Sequence, residues 1–278
     1  MRKDPATTLR GPGAGWRPEL AMHLERRENL GFIELLAENH RLDEKPREEI
    51  AALKRKGVEV AIHGVSLSPG SAGLPDESRL ASLDRLADIY DARLISEHIA
   101  FVRAAGLETH HLLPVERTEA MLALLVRNIN HAAMRLSRPL VLENIASLFE
   151  WPNNTMDEPE FLTRLTRETD ALLLLDVSNL YANSLNHGFD PIEYVDRLPS
   201  SKIAYMHVAG GTMKKGLYHD THAHPLPGAV LQLVSDIALR LPGVPAMLER
   251  DDCFPIQKEL FAELDSIEEA LARVSACA

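Results

Sequence analysis

The sequence predicts an α/β fold, a single-domain (β/α)8 TIM-like barrel over residues 1–278, and three observations carry that expectation. Apolar strand-like runs alternate with amphipathic helical stretches along the whole chain, and about eight such pairs are what a closed parallel barrel of this length needs. Ala171 to Asp176 is an unbroken apolar run with an acid at its tip, the composition of a strand buried on both faces. The rival, an open doubly wound sheet, expects a Gly-x-Gly-x-x-Gly phosphate loop after the first strand, and Gly11 to Gly15 does not match it.

The first strand, Thr8 to Gly15, is assigned by position, because glycines and Pro12 interrupt it. Pro18 opens a helix to Asn29. The second strand is Phe32 to Ala37, where Glu34 alternates with apolar residues and Glu38 and Asn39 follow toward the strand end. A helix from Pro46 to Lys56 stops at Gly57, a residue that suits a helix C-terminus. Strand three, Val58 to His63, leads into the long loop GVSLSPGSAGLP, and loops of that length are more often functional than idle. A helix over 76–90 and strand four, Arg93 to His98, come next.

A polar segment with His110 and His111 precedes a helix from Pro114 to Leu136, whose apolar positions Met121, Leu124, Leu125 and Ile129 repeat near 3.6 residues. Strand five is Pro139 to Glu143, helix five 157–168 and strand six Ala171 to Asp176. Helix six covers Pro191 to Leu198, strand seven ends at His207, helix seven runs 228–241, strand eight is Val244 to Glu249, and a helix over 256–274 closes the chain.

Composition narrows the function. Apolar residues make up 45% and charged residues 26%, which excludes disordered and fibrous classes. No run approaches the roughly 18 apolar residues of a membrane span. Thirty Lys and Arg face 41 Asp and Glu, a net charge of -11 that repels a phosphate backbone, so no nucleic-acid partner is expected. The two cysteines, Cys253 and Cys277, have no metal-ligand or redox spacing, and nothing resembling a signal peptide precedes Arg10; a reducing cytoplasm is the expected location.

The chemistry is suggested by the strand ends. In a barrel all strand C-termini face one mouth, and His63, His98, Glu143, Asp176, His207 and Glu249 each end a strand-like run. Asp220 and His222 join them from the loop after strand seven, in DTHAH. Imidazole and carboxylate are ligands for Fe, Mn or Zn. Each residue alone reads as a solvated rim residue or a helix cap. Together they point to metal, because polar tips on six buried strands cost desolvation unless something pairs with them. Eight ligands exceed what one ion uses and carboxylates bridge cations, so two or three ions are expected at this catalytic centre. Cysteine is missing from the set, which argues against an iron-sulfur cluster.

Other residues are secondary. Asn144 and Asn179 are expected to orient ligands or meet polar groups of a substrate, and His187 to make a loop or substrate contact. Glu38 and Asn39 point at the same mouth, and Cys253 lies near it. His224 is expected outside the ligand set, and His110, His111 and His131 at the surface or in helix packing.

The motifs AIHGVSLS, SEHIAF, LVLENIA, LLLLDVSNLYANSLNHGFDP, MHVAGG, DTHAHP and LERD resemble, in order and spacing, the multinuclear non-haem iron oxidative enzymes typified by the methanobactin-synthesising oxidase and its relative in thiaglutamate synthesis. The similarity spans Gly13 to Asp252. It implies a TIM-like barrel with two or three mixed-valence Fe(II)/Fe(III) ions held by His63, His98, Glu143, Asp176, His207, Asp220, His222 and Glu249. It also implies O2 as co-substrate, a Cys-containing ribosomally made precursor peptide as substrate, and a small partner protein that presents it. Two rivals remain: a xylose isomerase-like barrel using zinc or manganese for hydrolysis or isomerisation, and a non-catalytic, metal-loaded peptide-binding scaffold.

Overall fold

A computed structural model describes residues 9–43, 45–104 and 107–272. The chain runs β1 (Gly13–Trp16), α1 (Ala21–Glu25), β2 (Phe32–Leu36), α2 (Glu48–Arg55), β3 (Glu59–Gly64), α3 (Glu77–Ile89) and β4 (Ile95–His98). A hairpin of β5 (Ala100–Ala104) and β6 (Leu107–Pro114) follows, then α4 (Glu119–Ala133), β7 (Leu140–Glu143), α5 (Glu158–Glu168) and β8 (Leu172–Asp176). Next come α6 (Val177–His187), α7 (Pro191–Asp196), β9 (Ile203–Val208), a second hairpin of β10 (Gly211–Lys214) and β11 (Leu217–Asp220), α8 (Gly228–Ala238), β12 (Ala246–Leu248) and α9 (Gln257–Ala272).

Eight of these strands pair in parallel in the order β1-β12-β9-β8-β7-β4-β3-β2, and β1 pairs β2 to close the ring. This is the expected barrel. The larger apolar core lies between barrel and helices, where Leu24, Leu53, Leu125, Leu165, Val234 and Leu264 are fully or almost fully buried. A smaller one plugs the barrel interior with Phe32, Ala61, Leu94, Val141, Leu174, Tyr205 and Met247.

Period 2 places the polar residues. Side chains two apart on a strand share a face, so the step from each plug residue toward the C-terminal end reaches Glu34, His63, Ser96, Glu143, Asp176, His207 and Glu249. All of them are buried. An apolar floor thus carries a polar layer. Gly13 makes room for the floor, because a Cβ there would stand 2.4 Å from Phe32 Cζ. Gly210 does the same above, where a Cβ would meet the His224 carbonyl at 2.1 Å, so the segment carrying 220–224 packs on bare backbone.

Four local expectations change. The first strand begins at Gly13, with Thr8 outside the described residues. The first helix shrinks to Ala21–Glu25. The polar stretch after His98 and the loop after His207 form the two hairpins. A helix not foreseen, α6, follows directly on β8. Its N-cap is Asp176, whose side chain accepts from the Asn179 amide, and it stops at left-handed Gly188. Both end signals stand in the sequence, but Ser178, Asn179, Asn183 and Ser184 are buried, so polar residues fill the inward face and mask the amphipathic period.

Candidate metal centre

The eight strand-tip and loop candidates gather at the C-terminal mouth. His98 ends β4 and pairs in register with Glu143 at the end of β7, and Asp176 at the end of β8 pairs with His207 on β9. Four groups have ligand atoms within 4.8 Å of one another: His63, His98 and Glu143; Glu143, Asp176 and His207; Asp176, His222 and Glu249; and Glu34, His207 and Glu249. The first three form a chain, because Glu143 and Asp176 each belong to two groups. Asp220 enters beside them, its Oδ2 3.1 Å from His222 Nε2.

Apart from that Asp220–His222 hydrogen bond, separations within the set are short without being hydrogen bonds. Glu143 Oε2 lies 3.5 Å from His63 Nε2 and 3.4 Å from His98 Nε2, and His207 Nδ1 lies 2.9 Å from Glu249 Oε2. Glu143 Oε2, Asp176 Oδ2, Glu249 Oε2, Asp220 Oδ1 and both His207 nitrogens are buried with no hydrogen-bond partner. Orphaned buried oxygens and nitrogens that converge are costly, and cations placed among them would satisfy them. The donor set, imidazole and carboxylate, suits iron, manganese or zinc.

The electrostatics point the same way. Burial works against charge on His98, but Glu143, Glu97 and Glu249 outweigh it and lift the imidazole to about 9. Burial also opposes the Glu143 carboxylate, yet His98, His207 and His63 hold it down to about 2. Burial, with Asp220 and Glu143 nearby, pushes Asp176 well above the usual carboxylate range. The site is an anionic basin that retains positive charge, on imidazoles when protons supply it and on cations when they are present.

Further residues brace this layer. Asn144 donates to the Asp176 carbonyl at 3.0 Å and accepts from the Asp176 amide at 2.9 Å. Asn179 donates to the Asn144 carbonyl at 3.0 Å. Arg17, buried at the end of β1, reaches Asp251 at 2.5 Å and Glu249 at 3.6 Å. Asp251 in turn lies 3.1 Å from His222 Nδ1. His222 sits in left-handed backbone, φ 52°, the kind of strained conformation that clusters at functional sites.

Above the layer opens a pocket of about 450 Å³. His63, His98, His222 and Glu249 face it from the cluster, with Arg17 and Asp251 beside them and Glu38, Arg79, Glu108, His110 and His111 around it.

The structure corrects several secondary assignments. Glu38 lines the pocket but is exposed on a 3-10 turn (Ala37–Asn39), and the inward acid of that strand is Glu34. Asn39 is exposed and does not line the pocket. His187 makes the loop contact, with Nε2 2.8 Å from the Ser147 carbonyl, and faces a small cavity beside Trp151 and not the mouth pocket. His110 and His111 are exposed, as expected of surface residues, and also line the mouth pocket. His131 pairs with Glu77 at 2.9 Å, and His224 contacts Thr221 at 2.8 Å. Cys253 is exposed and does not line the pocket, and Cys277 lies outside the described residues. Arg17 and Asp251 are additions to the expected set. Their only sequence signal is a cation directly after GAGW and an acid two residues past Glu249.

A closed parallel barrel with buried, linked imidazole-carboxylate groups at its strand tips defines an α/β-barrel protein whose mouth carries groups that could bind metal ions. Comparison with known proteins agrees. The chain belongs to the family described as RiPP precursor modification enzyme MbnB/TglH/ChrH, whose model matches residues 11–272. A Streptomyces avermitilis UPF0276 protein is 45% identical over 95% of this chain, which spans 55% of that relative's length. A Caulobacter vibrioides UPF0276 protein is 38% identical over 92% of both chains.

Among solved structures, D-psicose 3-epimerase from Clostridium cellulolyticum H10 superposes with TM-score 0.59 at 12% identity, over 96% of this chain and 98% of that one. A putative xylose isomerase from Rhodospirillum rubrum gives TM-score 0.59 at 16%, over 97% and 99%. At such identities the likeness speaks for the fold alone. Among the described residues no helix is long and apolar enough to cross a membrane.

Proposed function

We propose that this chain is a cytoplasmic, iron-dependent, O2-using enzyme that oxidatively modifies cysteine residues of a ribosomally made precursor peptide, presented by a small partner protein. The whole chain, 1–278, would act as one barrel unit with its metals at the C-terminal mouth. The observation that carries this reading is the chain of three ligand groups linked through Glu143 and Asp176. His63, His98 and Glu143 would hold one ion, Glu143, Asp176 and His207 a second, and Asp176, His222, Glu249 and Asp220 a third. When bound, the irons supply one-electron chemistry with O2 and keep the cysteine sulfur as thiolate at neutral pH.

The protein's own share is placement. Its apolar floor shuts water out from below, while Asn144 and Asn179 hold the ends of β7 and β8 together. Arg17 sits beside Glu249 and Asp251 and offsets part of their charge. The pocket of about 450 Å³ is sized for a few residues of an extended peptide, with His110, His111 and Glu108 on a hairpin arm beside it.

The reading is tested by co-producing the enzyme with a Cys-bearing peptide encoded nearby, under air and without it. Iron in the purified protein, oxygen uptake and an oxygen-dependent mass change in the peptide are expected. Zinc or manganese with oxygen-independent turnover would overturn it in favour of hydrolysis or isomerisation. An unchanged peptide mass with metal bound would favour the scaffold.

A further inference from the structure

Glu34 is 2% exposed inside the barrel, and no role above uses it. Tyr205 donates its hydroxyl proton to Glu34 Oε2. That hydroxyl has one proton, so Ser96 Oγ, 2.9 Å away, can donate toward the Tyr205 oxygen, the Ile62 carbonyl at 3.3 Å or Glu34 Oε2 at 3.5 Å. With its proton on any of these acceptors, Ser96 accepts from His63 Nδ1 at 2.8 Å. In that arrangement His63 carries its proton on Nδ1 and turns its Nε2 lone pair toward Glu143 Oε2, 3.5 Å distant.

The second oxygen of Glu34 does parallel work. Oε1 lies 3.0 Å from His207 Nε2, close but not aligned as a hydrogen bond, so the contact is Coulombic. The opposite nitrogen, Nδ1, faces Glu249 Oε2 at 2.9 Å, Glu143 Oε1 at 3.6 Å and Asp176 Oδ2 at 4.0 Å.

We propose that Glu34 is a positioning residue that serves two imidazoles at once: through Tyr205 and Ser96 it sets the tautomer of His63, and directly it turns His207, so that Nε2 of His63 and Nδ1 of His207 aim at pockets sharing Glu143. The inference rests on the ligand reading above. A carboxylate or hydroxyl behind a ligating imidazole fixes its orientation and raises its basicity. Here one carboxylate does so for residues on β3 and β9, which are not neighbours in the barrel. The rival role for Glu34 is ligand, in a group with His207 and Glu249.

Two measurements decide. In metal-free protein labelled with 15N-histidine, long-range 1H–15N spectra should show His63 in the Nδ1–H form, identified by its loss in His63→Asn. Tyr205→Phe should move it toward the Nε2–H form, because Ser96 is then free to donate to Nδ1. Separately, zinc is titrated against a competing chelator, with thermal unfolding as the folding control. Glu34→Gln should bind as many ions at saturation as wild type, with roughly 10–100-fold weaker affinity.

One ion fewer at saturation would make Glu34 a ligand and overturn the inference, as would unchanged affinity. An unchanged His63 tautomer in Tyr205→Phe sinks it without reference to any metal. Wild-type protein that takes up no ion sinks the ligand reading instead. Should Glu34→Gln fail to fold, Tyr205→Phe, which keeps the ring and its packing, carries the test through both measurements.

Discussion

Glu143 and His98 end neighbouring strands at the same register, and the Glu143 oxygen 3.4 Å from His98 Nε2 has no hydrogen-bond partner. The same oxygen lies 3.5 Å from His63 Nε2, while the other faces His207. A carboxylate so placed serves two pockets. Glu143→Gln should therefore lower the metal content of purified protein more than His222→Gln, which touches only the outer pocket. Elemental analysis of both variants, each with a wild-type far-UV spectrum, checks the order; equal losses would contradict the bridging role.

Asn144 ties β7 to β8 through both backbone groups of Asp176. Asn144→Leu leaves a buried donor and acceptor unpaired, at a cost of about 2–4 kcal/mol. Urea unfolding of the metal-free protein should show that loss. Asn144→Asp should cost more at neutral pH than at pH 4, because its charge then faces the Asp176 carbonyl without a donor.

His40 gives a pH dependence away from the cluster. Burial, with Arg47 and Arg17 nearby, holds its imidazole down to about 4. Its other close neighbours are the Trp16 ring and the Tyr90 hydroxyl. The folded state resists a proton that the unfolded chain accepts near 6.5, so stability is complete above pH 6.5 and falls as pH drops toward 4. Discounted for partial exposure, the loss is about 1–2 kcal/mol. His40→Gln should flatten that part of the stability profile; an unchanged slope between pH 6.5 and 4 would refute the assignment.

Gly13 and Phe32 make a steric pair. A methyl carbon on Gly13 would stand 2.4 Å from the ring, so Gly13→Ala should cost about 1–3 kcal/mol by overpacking, and Phe32→Leu in the same chain should recover part of it. Chemical denaturation of the single and double variants measures the coupling, and additive effects would argue against the contact.

The barrel was legible in the sequence because strands buried on both faces read as apolar runs and carry their polar residues at the tips. His63, His98, Glu143, Asp176, His207 and Glu249 sit where that rule puts them, and the DTHAH loop brings Asp220 and His222 beside them. Glu34 was hidden by its position. It lies mid-strand, two residues after Phe32, where a charge reads as an outward-facing residue until barrel closure shows that its face is the inner one. Helix α6 was hidden because Ser178, Asn179, Asn183 and Ser184 are buried polar residues that invert the usual pattern. The pocket-lining places of His110 and His111 depend on how the β5–β6 hairpin folds back, which no local pattern encodes.

The apolar floor has one more consequence. With Phe32, Tyr205, Val141 and Met247 sealing the lower end, the mouth pocket is the doorway to the cluster among the described residues, and under the proposed function ions, peptide and product would share it. A peptide seated in that passage would stand between the ions and any external chelator. Metal exchange and turnover would then be mutually exclusive traffic, with ions gained or lost by the resting protein.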